Sequence, residues 1–220
     1  WPDGSVRWAL CDVMTELDGG QALTGMQVVS GSGQSPEPDL GFQSTDRILL
    51  DTGPLQAVIF TKGFNLFRSI AVDGEVVVFE KQNPGIVGQA KNGKLLVPGS
   101  DTQVYLEENG PARAVVRADG TLINLSTGAG VIDFTCRVTA RRGSRDLEVT
   151  LTVKNATIER PQHTIVESIN LSTRIRTQNS PRASAPYSNG WLTRPLQPHS
   201  DSRALLYQAK STAKTAGIGA

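Results

Sequence analysis

Apolar and polar residues alternate along most of this chain, with the two-residue period of β-strands rather than the longer period of a helix. The clearest case runs from Asp146 to Lys154, where every second residue is apolar. Such a segment buries one face and exposes the other, as in an antiparallel sheet with one solvated side. Further strands are predicted at Val6 to Glu16, Met26 to Ser30, Arg47 to Leu50, Leu55 to Thr61, Glu75 to Glu80, Thr102 to Glu107, Ala112 to Asp119, Gly130 to Arg141 and His163 to Leu171.

Turn signals separate these segments. Asp73-Gly74 lies between two apolar runs and predicts a two-residue hairpin turn, because both of its central residues must adopt positive φ. Asp18-Gly19-Gly20, Asn92-Gly93, Gly110-Pro111 and Asp119-Gly120 are also predicted to be turns. No segment keeps an apolar helical period over several turns, so we expect an all-β protein with few and short helices.

Changes in composition predict three parts. Residues 31–43 are rich in Gly, Ser and Pro and resemble a linker, so residues 1–43 are predicted to be the remnant of a first domain with its linker. Residues 44–176 are predicted to form the main β-domain. Residues 177–220 are predicted to be a loop-rich arm. The Pro-Asp-Gly turn at the very start is typical of the second half of a hairpin, so we expect further residues before Trp1.

Charge and hydropathy exclude two classes of partner. The chain has 22 basic and 21 acidic residues, for a net charge of +1, which offers no basic surface for nucleic acid. No apolar run approaches the roughly 20 residues of a transmembrane helix, so no membrane span is expected.

Two cysteines are present, and neither has a Cys or His at metal-ligand spacing. Cys136 lies on the same predicted strand face as Phe134 and Val138, towards the core. Two states remain open for it: a buried free thiol, or a disulfide with Cys11. We expect neither a metal nor a cofactor.

Candidate binding residues fall on two segments. Arginines make the polar side of the strands around residues 112–145 basic, and this side could contact an acidic polysaccharide or the carboxylates of another subunit. The alternative is a solvated face balanced by Asp146 and Glu148. Aromatic rings in the C-terminal arm could stack on sugar rings. The candidate carbohydrate-binding residues are therefore Arg137, Arg141, Tyr187 and Trp191, and no catalytic residue is assigned.

Four phrases in sequence order carry a family resemblance: WPDGSVRWAL at 1–10, DTGPLQAVIFTKGFNLFRSIAVDGEVVV at 51–78, ENGPARAVVRADGTL at 108–122 and FTCRVTARRGSRDLEVTLTVKN at 134–155. Together they resemble the exo-rhamnogalacturonan lyase-like family. The resemblance implies a partial barrel-like domain followed by an antiparallel β-sandwich. In that family a helical toroid carries the lyase chemistry. No helical pattern follows residue 155, so no catalytic residue can be transferred to this sequence.

The resulting functional prediction is a non-catalytic β-module of an extracellular or cell-surface polysaccharide lyase-like protein, binding or presenting acidic polysaccharide. We do not expect this chain alone to be an enzyme. The alternative is a structural subunit that joins other copies of itself through its C-terminal arm and its sheet edges.

Overall fold

A computed structural model of the chain describes residues 37–79, 85–154 and 166–173, together with isolated residues between 13 and 27. It also describes the backbone of four strands beyond residue 181. The strands predicted at Val6 to Glu16 and Met26 to Ser30, the barrel-like domain and Cys11 lie outside the described residues.

The first sheet is a five-stranded antiparallel meander in sequence order. Its strands are β1 (Gly41–Gln43), β2 (Arg47–Asp51), β3 (Leu55–Phe60), β4 (Ser69–Val72) and β5 (Glu75–Phe79). The β4–β5 turn confirms the hairpin prediction, because Asp73 has φ 50° and Gly74 has φ 80°. Residues 41–43 were predicted to belong to the linker, but they form β1, which pairs with β2.

The second sheet has seven strands in the order β11-β10-β9-β7-β6-β12, with β8 also pairing with β9. Its strands are β6 (Gly85–Ala90), β7 (Leu95–Pro98), β8 (Gln103–Asn109), β9 (Arg113–Asn124), β10 (Gly130–Arg141), β11 (Leu147–Lys154) and β12 (Val166–Ser172). β10 has the bounds predicted from the alternation. The predictions of all-β class and antiparallel pairing are confirmed, and none of the residues described is helical.

The prediction of a turn at Asp119-Gly120 is wrong. Both residues continue β9, facing Thr135 and Phe134 of β10. Gly120 points to the core side, where an added Cβ would lie 2.5 Å from Oγ1 of Thr102. The glycine therefore allows a close approach of Thr102 to the strand and does not mark a reversal of the chain.

One apolar core lies between the two sheets. Ile48, Leu50 and Ile59 contribute from the first sheet, and Val116, Leu122, Phe134, Cys136 and Val138 contribute from the second. Phe64, in the β3–β4 loop, stacks on Phe134 with ring centroids 6.3 Å apart. Because all these residues belong to a single cluster, the two sheets form the sandwich that the sequence predicted.

Cys136 is a buried free thiol, as the first of the two alternatives predicts. Burial raises the pKa of its thiol to about 12. A thiol that stays protonated is a poor nucleophile, so Cys136 acts as a small apolar core residue.

Turns from the two sheets are joined by hydrogen bonds at one end of the sandwich. Oγ1 of the buried Thr52 donates to the carbonyl of Ser144 at 2.7 Å. The amide of Gly143 donates to the carbonyl of Thr52, also at 2.7 Å. These bonds connect the β2–β3 turn with the β10–β11 turn and so fix the position of one sheet against the other at this end.

Residues 176–220 form a separate compact unit. It contains two antiparallel hairpins, β13 (Arg182–Tyr187) with β14 (Gly190–Pro195), and β15 (Arg203–Ala209) with β16 (Thr212–Gly219). The sequence predicted a loop-rich arm here, because its small and polar composition gives a weak alternation signal.

Candidate functional site

Charged and hydroxyl side chains gather on the side of β8, β9 and β10 that faces away from the core. We call this surface the polar face; it is formed by Tyr105, Glu107, Arg117, Asp119, Thr135 and Arg137. The two-residue period explains its composition, because Arg117 and Asp119 alternate with the core residues of β9, and Thr135 and Arg137 with those of β10.

Two arginines lie directly opposite each other at the centre of the polar face. Arg117 of β9 faces Arg137 of β10 in the strand register. Like charges in facing positions destabilise a sheet. A carboxylate from β8 resolves this conflict: Glu107 accepts bonds from Nε and Nη2 of Arg137 at 2.5 and 2.7 Å, and from Nη1 of Arg117 at 2.8 Å.

Glu107 lies at a β-bulge. The pairing of β8 with β9 shifts between Leu106 and Glu108, so Glu107 is the additional residue. Leu106 packs against the core while the Glu107 carboxylate reaches the two guanidinium groups, as the alternation of β8 requires. The bulge re-aims the next residue, Glu108, which also points outward and pairs with Arg113.

Asp119 connects three side chains of the network. Its carboxylate lies 2.7 Å from Nε of Arg117, and it accepts hydrogen bonds from Oγ1 of Thr135 at 2.6 Å and from the Tyr105 hydroxyl at 3.2 Å. Thr135 is only 2% exposed although it points away from the core. The other side chains of the network therefore shield Thr135 from water.

The ion pairs fix the protonation states of the polar face. The bond from Arg137, followed by that from Arg117, lowers the pKa of Glu107 to about 2. Burial opposes ionisation of Asp119, but bonds from Arg117 and Thr135 outweigh it and lower the pKa. Burial and the bond to Asp119 raise the pKa of Tyr105. At neutral pH this face presents two cations, two anions and a protonated phenol, which suits hydrogen bonding rather than proton abstraction by the tyrosine.

The arginines beyond the network are also paired. Arg141 donates to Glu148 at 3.2 Å, as the solvated-face alternative predicts. Arg145 donates to Asp73 at 3.0 Å. Arg142 donates from Nε to the carbonyl of Pro111 at 2.5 Å and so anchors the β8–β9 turn. The charge of the basic face expected from sequence is therefore balanced by neighbouring carboxylates. Asp146 was predicted to supply part of this negative charge, and Glu107 and Asp119 supply it in the structure.

The predicted site residues fall in two places. Arg137 belongs to the polar face and Arg141 lies at the end of the same strand. Trp191 is in β14 and Tyr187 is in β13, within one hairpin of residues 176–220, and the structure describes only the backbone there. Their contact with sugar stays a prediction.

Sequence reasoning missed Tyr105, Glu107 and Asp119. The alternation of β9 contained the signal for Asp119, but the Asp-Gly pair was interpreted as a turn. Tyr105 and Glu107 alternate with the core residues Val104 and Leu106, so the period of β8 contained the signal for both.

The described residues contain neither a membrane-spanning helix nor a cluster of metal ligands. No helix in the part of the chain that is described is long and apolar enough to cross a membrane. Within the same residues, no three His, Cys, Asp or Glu side chains are grouped so that they could hold a metal ion.

Two antiparallel sheets on a shared core, with a charge-balanced polar face, define a β-sandwich domain. A family model described as the PcRGLX-like protein central beta sandwich domain matches residues 42–182. The chain therefore belongs to this family. The match agrees with the resemblance to lyase-like proteins for the central domain, while the barrel-like assignment of residues 1–43 stays a prediction.

A curated relative was also found. The uncharacterized protein YetA of Bacillus subtilis (strain 168) is 24% identical over 155 residues, which is 67% of this chain. The chain spans only 18% of that relative's length. The similarity therefore concerns one segment of a much longer protein.

Proposed function

We propose that this chain is a non-catalytic β-sandwich module of a longer extracellular lyase-like protein, and that it binds or presents acidic polysaccharide. The geometry that supports this most is the pair of guanidinium groups held by Glu107. Arg137 and Arg117 keep 37% and 27% of their side chains exposed, and Glu107 uses only part of their N–H groups.

A fixed guanidinium loses little conformational freedom when it meets a ligand. Its remaining donors can bind the carboxylate or hydroxyl groups of a sugar chain. The neighbouring Asp119 carboxylate and the oxygen of the Tyr105 hydroxyl add acceptors for sugar hydroxyl groups. Arg141, at the end of β10, extends this surface. The predicted aromatic residues Trp191 and Tyr187 would add stacking on the sugar rings.

Affinity electrophoresis tests the proposal. The wild-type protein should be retarded in gels containing de-esterified pectic polymer and should run freely in gels containing a neutral glucan. R137Q and W191A should each reduce the retardation. R145Q is the matched control, since it removes the same charge from an exposed turn outside the polar face and should run like the wild type.

Two results would count against the proposal. One is a wild-type protein that the acidic polymer does not retard. The other is equal loss in R145Q and R137Q, which would indicate a general charge effect that salt screens. Circular dichroism of each variant would verify that the fold is kept.

We also propose that lyase chemistry in such a protein lies outside this chain. Incubation of the chain with pectic polymer should therefore give no rise in ultraviolet absorbance from unsaturated uronate. A steady rise that scales with protein concentration would contradict this part.

A second candidate, a structural subunit that assembles with its own copies, is favoured by one observation. β11 is an eight-residue strand at the edge of the seven-stranded sheet.

A further inference from the structure

Strand β11 lies at the edge of the seven-stranded sheet as far as the structure describes it. Among the strands whose pairing is described, it bonds to β10 and to no other. Its outer backbone groups form a row that another strand can pair with. Its core-side residues are incompletely covered: Leu147, Val149 and Leu151 are half-buried, and Val153 is 45% exposed.

The sequence of β11 is self-complementary. Val149-Thr150-Leu151-Thr152-Val153 is the same in both directions, and it is flanked by an acid, Glu148, and a base, Lys154. The five central residues carry no charge, proline or glycine, so the usual features that protect an edge strand are missing from its middle.

We propose that β11 pairs antiparallel with β11 of a second copy of this chain, about a two-fold axis at Leu151. In that register Leu151 faces its own equivalent, Val149 faces Val153, and Thr150 faces Thr152. Glu148 of each copy faces Lys154 of the other. A two-fold contact uses the same surface on both partners, as the symmetry of this sequence allows.

The pairing satisfies three features of the structure. The free edge becomes hydrogen-bonded, Val153 is covered by Val149 of the second copy, and two ion pairs form on the solvated side. The register is specified as well. A shift by one residue would place threonines against the core side, and a shift by two would separate Glu148 from Lys154.

This inference gives the assembly candidate a defined interface, and it does not depend on polysaccharide binding. Two double variants at exposed positions test it. T150K/T152K places lysine opposite lysine in both facing pairs and should weaken self-association on the order of tenfold or more. T150K/T152E places lysine opposite glutamate at the same positions and should keep the dimer.

Sedimentation equilibrium over a range of concentrations gives the result. The wild type should show twice the chain mass of 23.5 kDa. A monomeric wild type at all concentrations would overturn both the pairing and the assembly candidate. A dimer that T150K/T152K leaves intact would overturn the β11 pairing alone, since assembly would then use another surface.

The register has its own test by cross-linking. The variants carry C11S and C136A as well, because Cys136 faces Leu151 across β10 and β11 and its thiol would compete. In this background L151C places a thiol on the two-fold axis, where facing residues approach closely enough for a disulfide, and should give a covalent dimer under mild oxidation. L147C lies four residues from the axis and should not. Cross-linking of both variants, or of neither, would overturn the proposed register.

Discussion

The strand pair β9–β10 has two faces that differ in burial, charge and hydrogen bonding. On one face Val116, Phe134 and Val138 are buried in the shared core. On the other, Arg117 and Arg137 face each other and are held by Glu107. Neighbouring residues of one strand therefore belong alternately to the apolar core and to an ion-pair network.

The difference shows what each face contributes. On the core face, burial of apolar surface stabilises the fold strongly, and this stabilisation does not require a particular orientation of the side chains. On the polar face, each ion pair adds little net stability, because desolvation offsets much of the attraction. The ion pairs do, however, fix the positions of several hydrogen-bonding groups. We therefore expect the core face to determine stability and the polar face to determine recognition.

The largest effect is expected from Phe134→Ala on the core face. The ring is almost fully buried and stacks on Phe64, so its loss leaves a cavity between the sheets. The free energy of unfolding should fall by about 3–5 kcal/mol in chemical denaturation. Phe134→Leu, which keeps most of the volume, should cost about 1.5 kcal/mol or less. A loss below 1 kcal/mol for the alanine variant would contradict this role for the core face.

Gly120→Ala should have the next largest effect. Its new methyl group would meet Oγ1 of Thr102, which donates to the carbonyl of Gly99 at 2.7 Å. We expect a loss of about 1–3 kcal/mol from this overpacking, measured by thermal unfolding. Gly110→Ala is the control, since its nearest neighbour would be 3.6 Å from the new Cβ. Equal stability of the two variants would show that the close approach does not matter.

Glu107→Gln tests the polar face, and its effect should depend on pH. Because the folded protein lowers the pKa of Glu107 from 4.5 to about 2, its charge stabilises the fold fully above about pH 4.5. That contribution is lost as the pH falls from about 4.5 to about 2. We expect a loss of about 1–2 kcal/mol at pH 7 for the variant and near equality with the wild type at pH 2, from denaturation at each pH.

Asp146→Asn provides the control for that profile. Asp146 is exposed in the β10–β11 turn, so its substitution should change stability by less than about 0.5 kcal/mol at either pH. A difference between Glu107→Gln and the wild type that persists unchanged to pH 2 would mean that shape, rather than charge, explains the loss.

The smallest effect is expected at the end of the polar face. Arg141 and Glu148 are each more than half exposed, so water and salt screen their attraction. Arg141→Gln should change the free energy of unfolding by less than about 0.5 kcal/mol. A larger loss would show that stability and recognition are not divided between the two faces.

Long alternating segments made much of this fold predictable. β10 and β11 were found because residues 132–141 and 147–154 keep the period without interruption. Asp73-Gly74 was found because its chemistry suits few other conformations. β6 was missed, since Gly85 and Gly88 weaken its alternation. Both glycines meet tight contacts that a sequence cannot show, with the backbone of Asn65 and with Leu96.

The polar face was only half predictable. The positions of Arg117 and Arg137 follow from alternation. Their pairing does not, because it depends on which strand lies beside β9 and in what register. The sequence therefore suggested a basic surface where the structure has a balanced one.

The bulge at Glu107 has a consequence for comparing relatives of this protein. The bulge lets two consecutive acidic residues face the same side of the sheet: Glu107 binds Arg117 and Arg137, and Glu108 binds Arg113. A chain that lacks the inserted residue would keep only one acidic side chain for both of these sites. One site would then lose its carboxylate from β8. We therefore expect the insertion and these arginines to be gained and lost together during the divergence of the family. An alignment that closes the gap at residue 107 would hide this covariation.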